Sequence, residues 1–122
     1  MIPDSFINNN YDMPPCWCLV VDVYSQELGL SATNFKTVNN SIRAIASAFR
    51  IALHKADHGF IQIEEPRDYA VVLMGKMRTR VPHHAGIYYQ GNVLHATATG
   101  VIYESLESVS DSWPKIEYWA KS

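Results

Sequence analysis

The stretch HAGIYYQGNVLHATATGVIYESL, residues 84–106, decides the fold. AGIYYQ (85–90) and NVLHAT (92–97) are apolar, β-branched and aromatic, and they flank Gly91. This pattern predicts a β-hairpin, followed by a third strand over GVIYESL (100–106). Side chains alternate across a strand, so the turn length sets which residues share a face. A two-residue turn at Gln90–Gly91 pairs Tyr89 with Asn92, and one at Gly91–Asn92 pairs Gln90 with Val93. Either register puts His84 and His95 on one face, and in the first they are diagonal neighbours across Gly86. A three-residue turn over 90–92 would put them on opposite faces.

Upstream of the hairpin, YAVVLM (69–74) is a continuous apolar run and suits a central strand. FIQIE (60–64) alternates and ends at Glu65, Pro66 and Arg67. KIEYWA (115–120) predicts the last strand. The N-terminal half reads differently. CWCLVVDVYSQEL (16–28) predicts a mostly buried helix stopped by Gly29, with a strand over CLVVDVY as the alternative. A second helix follows a polar connection over 31–40, with Asn40 or Ser41 as its N-cap. Ile42, Ile45, Ala46, Phe49 and Leu53 form its apolar stripe, Arg43, Ser47 and Arg50 lie off it, and Gly59 ends the segment. Residues 1–15 are polar and turn-rich, closing on Pro14 and Pro15. Helices followed by strands define an α+β fold, with the helices packed on one face of an antiparallel meander. The 122 residues are expected to form a single domain, 1–122.

Composition narrows the function. Hydrophobic residues make up 48% of the chain, enough for a core without staples. The net charge is −2 and the basic residues are scattered, which argues against a nucleic-acid surface. No apolar run is long enough to span a bilayer. Residues 1–10 lack the basic-then-apolar pattern of a secretory signal, so synthesis in a cytoplasm is expected. Cys16 and Cys18, two residues apart on a helix, would form a strained bridge and read as thiols.

Cys16 stands where the proline-rich lead-in meets a helix. Outward-pointing N–H groups and the helix dipole favour a thiolate there, so it is a candidate nucleophile; buried packing is the alternative. Cys18 lies ~200° round the helix and is expected to face the core. A nucleophilic thiol needs a base. His54 and His58, near a helix C-terminus, fit dipole complementation, and His83 suggests no role. His84 and His95, sharing a face, fit a base held by a second polar group, with Gly86 leaving open space beside both rings. Two unrelated histidines, or a zinc site using His83 with a carboxylate, are the alternatives; adjacent strand histidines point apart, which weighs against zinc.

These motifs resemble a known family. CWCLVVDVYSQELGL (16–30) resembles the nucleophile helix of NlpC-type papain-like cysteine peptidases, which are cell-wall hydrolases. Its C-W-x-L-V continuation is similar to the phage-tail branch. HAGIYYQGNVLHATATGVIYESL resembles that family's H-x-G-I-Y hairpin with L-H-A after it, PRDYAVVLM (66–74) resembles the preceding strand, and WPKIEYW (113–119) the closing one. The resemblance covers roughly residues 11–120. It implies a papain-like NlpC-type fold, with Cys16 as nucleophile, His84 as base and His95 as the third polar residue. It implies hydrolysis of peptide or amide bonds in peptidoglycan stem peptides, no metal or organic cofactor, tail proteins as partners and incorporation in a virion tail. Two departures stand out. Pro15 occupies the position where the family has Asp, and FINNNYDMPP replaces an aromatic, glycine-rich segment. Tyr11 is the residue available for the family's oxyanion tyrosine, with the Cys16 N–H as the backbone alternative. Trp17, Tyr88 and Tyr89 either line the cleft or belong to the core. The competing readings are a non-catalytic structural tail protein that keeps the fold, and a cytoplasmic acyl-transfer enzyme with the same triad.

Overall fold

A computed structural model describes residues 4–11, 15–30, 42–54, 59–76, 81–97 and 99–121. The fold is α+β. Helix α1 spans Pro15–Val23 and widens into a π-helical turn over Tyr24–Leu28. Gly29 ends it at φ 63°, a left-handed conformation that suits glycine. Helix α2 spans Ile42–His54. Its expected stripe is observed at Ile45, Ala46, Phe49 and Leu53, which are buried, while Arg43, Ser47 and Arg50 are exposed. Burying a side chain such as Phe49, which also packs on the Trp17 ring, contributes about 1.5–3 kcal/mol. The expected N-cap, Asn40 or Ser41, lies outside the described residues, as does His58.

Six strands follow: β1 Phe60–Ile63, β2 Val71–Gly75, β3 His84–Tyr89, β4 Asn92–Thr97, β5 Gly100–Ser105 and β6 Lys115–Lys121. They form one antiparallel sheet in the order β1-β6-β2-β3-β4-β5. The expected meander is therefore corrected. The last strand inserts between β1 and β2, pairing Trp119 with both Gln62 and Val71. Burial explains the choice: Trp119 and Ala120 are buried and need neighbours on both sides, whereas Ile61 and Gln62 are exposed and suit an edge. β2 is buried throughout, as its unbroken apolar run predicts.

A further helix, α3, spans Leu106–Ser112 directly after β5. The sequence pattern does not predict it. Ser105 ends the strand and caps the helix, its hydroxyl accepting the Ser108 N–H at 3.1 Å. α3 also corrects the one-sided packing. α1 and α2 cover one face, in a core with Val71, Leu73, Ala85, Ile87, Leu94 and Ala96. Val109 of α3 packs with Val72, Met74 and Val93 on the other face, alongside Trp113, Tyr88 and Tyr118. The sheet is thus covered on both sides, and the two faces carry different parts of the candidate site.

Candidate active site

The β3–β4 hairpin takes the two-residue turn Gln90–Gly91, with Tyr89 opposite Asn92 and Gly86 opposite His95. Gln90 and Gly91 have φ of 50° and 85°, the left-handed pair that a tight hairpin turn requires. His84 and His95 consequently share a face as diagonal neighbours. The His84 Nε2 and the His95 Nδ1 are 2.8 Å apart, with the rings near perpendicular. Both side chains are buried.

Gly86 has a different role from the one expected. A Cβ there would lie 2.7 Å from the Leu94 carbonyl oxygen and 3.0 Å from the His95 Cβ. The space beside the rings is filled by β4 itself, and the missing side chain is what lets β4 come so near.

The pair does not end at His95. Its Nε2 lies 2.6 Å from Glu104 Oε2, and the other carboxylate oxygen accepts the Ser108 hydroxyl at 2.7 Å. Glu104 is on β5 opposite Val93, one diagonal step from His95. The Ser108 hydrogen bond, aided by His95, holds its carboxyl below the usual carboxylate range despite some burial. Sequence reading missed Glu104 and Ser108. The alternation of VIYES offered a signal, since Glu104 shares the Ile102 face and Ile102 pairs with His95.

Trp113, between α3 and β6, stacks on the His84 ring at 4.7 Å between centroids. His83 meets the same indole edge-on, and the Lys76 ammonium sits 4.1 Å from its ring centroid while donating to the Ser112 carbonyl. Burial, then the nearby His95, His83 and Lys76, pushes the His84 pKa down to about 3. At neutral pH its imidazole is uncharged, the state a general base requires.

Cys16 approaches from the other side. The β2–β3 ladder runs to Met74–His84, but the β3–β4 ladder stops at Gly86–His95. Tyr88 N–H donates to Ala70, in the direction of β2. By alternation the Ala85 N–H points toward β4, beyond the end of their pairing. It lies near the Cys16 thiol instead and, with the N–H groups of Trp17 and of Cys16 at the start of α1, favours the ionised form of the sulfur. The thiol therefore sits where the sheet splits, against the residue that follows His84. Cys16 belongs to the core on the α1 face, and His84 lies on the α3 face. Among the described residues no hydrogen bond joins Cys16 to His84. Burial outweighs the three N–H groups and raises the Cys16 pKa to about 11, so the resting pair is a thiol and a neutral imidazole.

The remaining candidates fall elsewhere. Cys18 was expected to face the core but is half-buried, whereas Cys16 is 5% exposed. The helix lies on the sheet with its Cys16, Leu19, Val20 and Val23 face inward, turning Cys18 aside. The Tyr11 hydroxyl donates to Asp22 at 2.7 Å, on the Cys18 side of α1, and accepts from the Asn9 amide. Burial raises its pKa. Trp17 is fully buried in the core rather than exposed to a cleft. Tyr88 and Tyr89 are half-buried on opposite faces. Among the described residues, no three His, Cys, Asp or Glu side chains are grouped to hold a metal ion.

Comparison with known proteins finds no matching family model, no matching curated protein and no matching solved structure.

Proposed function

We propose that this protein is a cysteine hydrolase of papain-like NlpC type that cleaves peptide or amide bonds in peptidoglycan stem peptides. The observation that carries the reading is the Cys16 thiol, buried at the start of α1 with the Ala85 N–H near it where the β3–β4 pairing ends. His84, whose chain neighbour is Ala85, is neutral and buried on the opposite sheet face and is hydrogen-bonded to His95. In this mechanism His84 takes the Cys16 proton as sulfur attacks the substrate carbonyl carbon. The tetrahedral oxyanion is held by N–H groups at the start of α1, where the dipole favours negative charge. Collapse breaks the C–N bond, and His84 gives its proton to the leaving amine. Water then attacks the thioester and loses a proton to His84. The acid product leaves, and the thiol regains its proton. Bringing sulfur and imidazole together requires substrate to open the split, since catalytic hydrogen bonds often tighten only in the complex. The resemblance of residues 16–30 and 113–119 to the phage-tail branch supports a role in a phage or prophage tail, among other tail proteins.

A second reading is a structural tail protein that keeps the fold without catalysis. The burial of Cys16 and its lack of a hydrogen bond to His84 favour it. Incubation with intact peptidoglycan separates the two. Release of muropeptides by wild type and Cys18→Ala, but not by folded Cys16→Ala, is the outcome expected of the hydrolase. No release by any of them, from several wall types, favours the structural role over the hydrolase.

A further inference from the structure

The carboxylate that ends the His84–His95 chain sets which nitrogen of each ring carries the proton. Both Glu104 oxygens are engaged, Oε1 by the Ser108 hydroxyl and Oε2 by His95 Nε2. An ionised carboxylate only accepts, so the proton in the 2.6 Å contact belongs to His95 Nε2. A neutral imidazole has a single N–H, which leaves His95 Nδ1 as a lone pair. That lone pair accepts across 2.8 Å from His84 Nε2, so the remaining nitrogen of His84, Nδ1, is unprotonated. We propose that Glu104 is a positioning residue that, through His95, holds His84 in the Nε2–H tautomer and so makes Nδ1 its basic nitrogen. Ser108, on α3, holds the carboxylate in turn. The tautomer assignment follows from the hydrogen bonds with a single proton on His95, whereas its value for catalysis rests on the hydrolase reading.

The groups facing His84 leave this carboxylate as the controlling one. His95 comes from β4, Met74 pairs with it from β2, Lys76 and His83 flank it, and Trp113 covers a ring face. Of these the Lys76 ammonium repels a second proton on the ring but selects neither tautomer.

The test is nitrogen-15 NMR of histidine-labelled full chain near pH 7. The expected result is an Nε2–H tautomer for both His84 and His95. Glu104→Gln, which donates as well as accepts, should give a mixture, and Glu104→Asp should restore the wild-type pattern in part. Ser108→Ala leaves the carboxylate in place and keeps the test usable if Glu104 variants unfold; it should shift the His95 resonances in the same direction by less. A doubly protonated His95, or an Nδ1–H tautomer of His84 in wild type, overturns the proposal whether or not the protein hydrolyses anything. So does an unchanged tautomer in folded Glu104→Gln. If wild type cleaves peptidoglycan, Glu104→Gln should lower kcat at least about tenfold with KM unchanged. An unaltered kcat removes the positioning role.

Discussion

His84 and His95 share a 2.8 Å hydrogen bond across eleven positions of chain because the Gln90–Gly91 turn has two residues. One residue more would rotate every side chain of β4 to the other face. Inserting a glycine after Gly91 is therefore expected to break the His84–His95–Glu104 chain. The loss should appear as new histidine resonances, and as loss of any hydrolytic activity.

Gly86 leaves no room for a Cβ between the strands carrying the two histidines. Gly86→Ala places a methyl 2.7 Å from the Leu94 carbonyl, which backbone cannot easily relieve. Denaturant unfolding should show a loss of about 1–3 kcal/mol. Gly91→Ala, with nothing near the new methyl but a φ of 85°, should cost less and leave the histidine bond intact.

Trp113 covers the His84 ring and is itself covered by Lys76. Trp113→Ala should destabilise the fold by at least about 1 kcal/mol. It should also raise the His84 pKa from about 3 toward its ordinary value, because burial is the main cause of the depression. Proton NMR titration of the His84 ring reads this directly.

His84 is neutral when folded down to about pH 3 but gains a proton near pH 6.5 when unfolded, so stability falls as pH drops below about 6.5. The slope from this one group is at most about 1.4 kcal/mol per pH unit. Glu104, lowered in the folded state, adds to the acid loss below its ordinary carboxylate pKa. Cys16 acts at the other end. Its folded pKa of about 11 keeps the proton that the unfolded thiol loses near pH 9, so stability declines above that pH. Thermal unfolding across pH should show a plateau between, and His84→Phe should flatten the acid limb.

Thiol labelling follows from the same burial. In the absence of substrate, iodoacetamide at pH 7.5 should modify half-buried Cys18 before Cys16. Rapid labelling of Cys16 under those conditions would mean a preformed thiolate, contrary to the resting thiol described here.

Much of this molecule was legible as a one-dimensional pattern. The apolar stripe of α2, the unbroken run of β2 and the Gly29 stop each follow from local periodicity and turn chemistry, which act over a few residues, and the His84/His95 register is narrowed to a few turns, from which the structure takes Gln90–Gly91. The insertion of β6 between β1 and β2, the α3 cover on the second face and the Glu104–Ser108 anchor were decided by tertiary structure. Each depends on residues distant in the chain competing to bury surface or satisfy a buried polar group, and no window of sequence contains that competition. The same holds for Cys16. Its place at a helix start is written in Pro14, Pro15 and the apolar run that follows. Its burial, and its thiol near the Ala85 N–H rather than on His84, come from where β3 and β4 part.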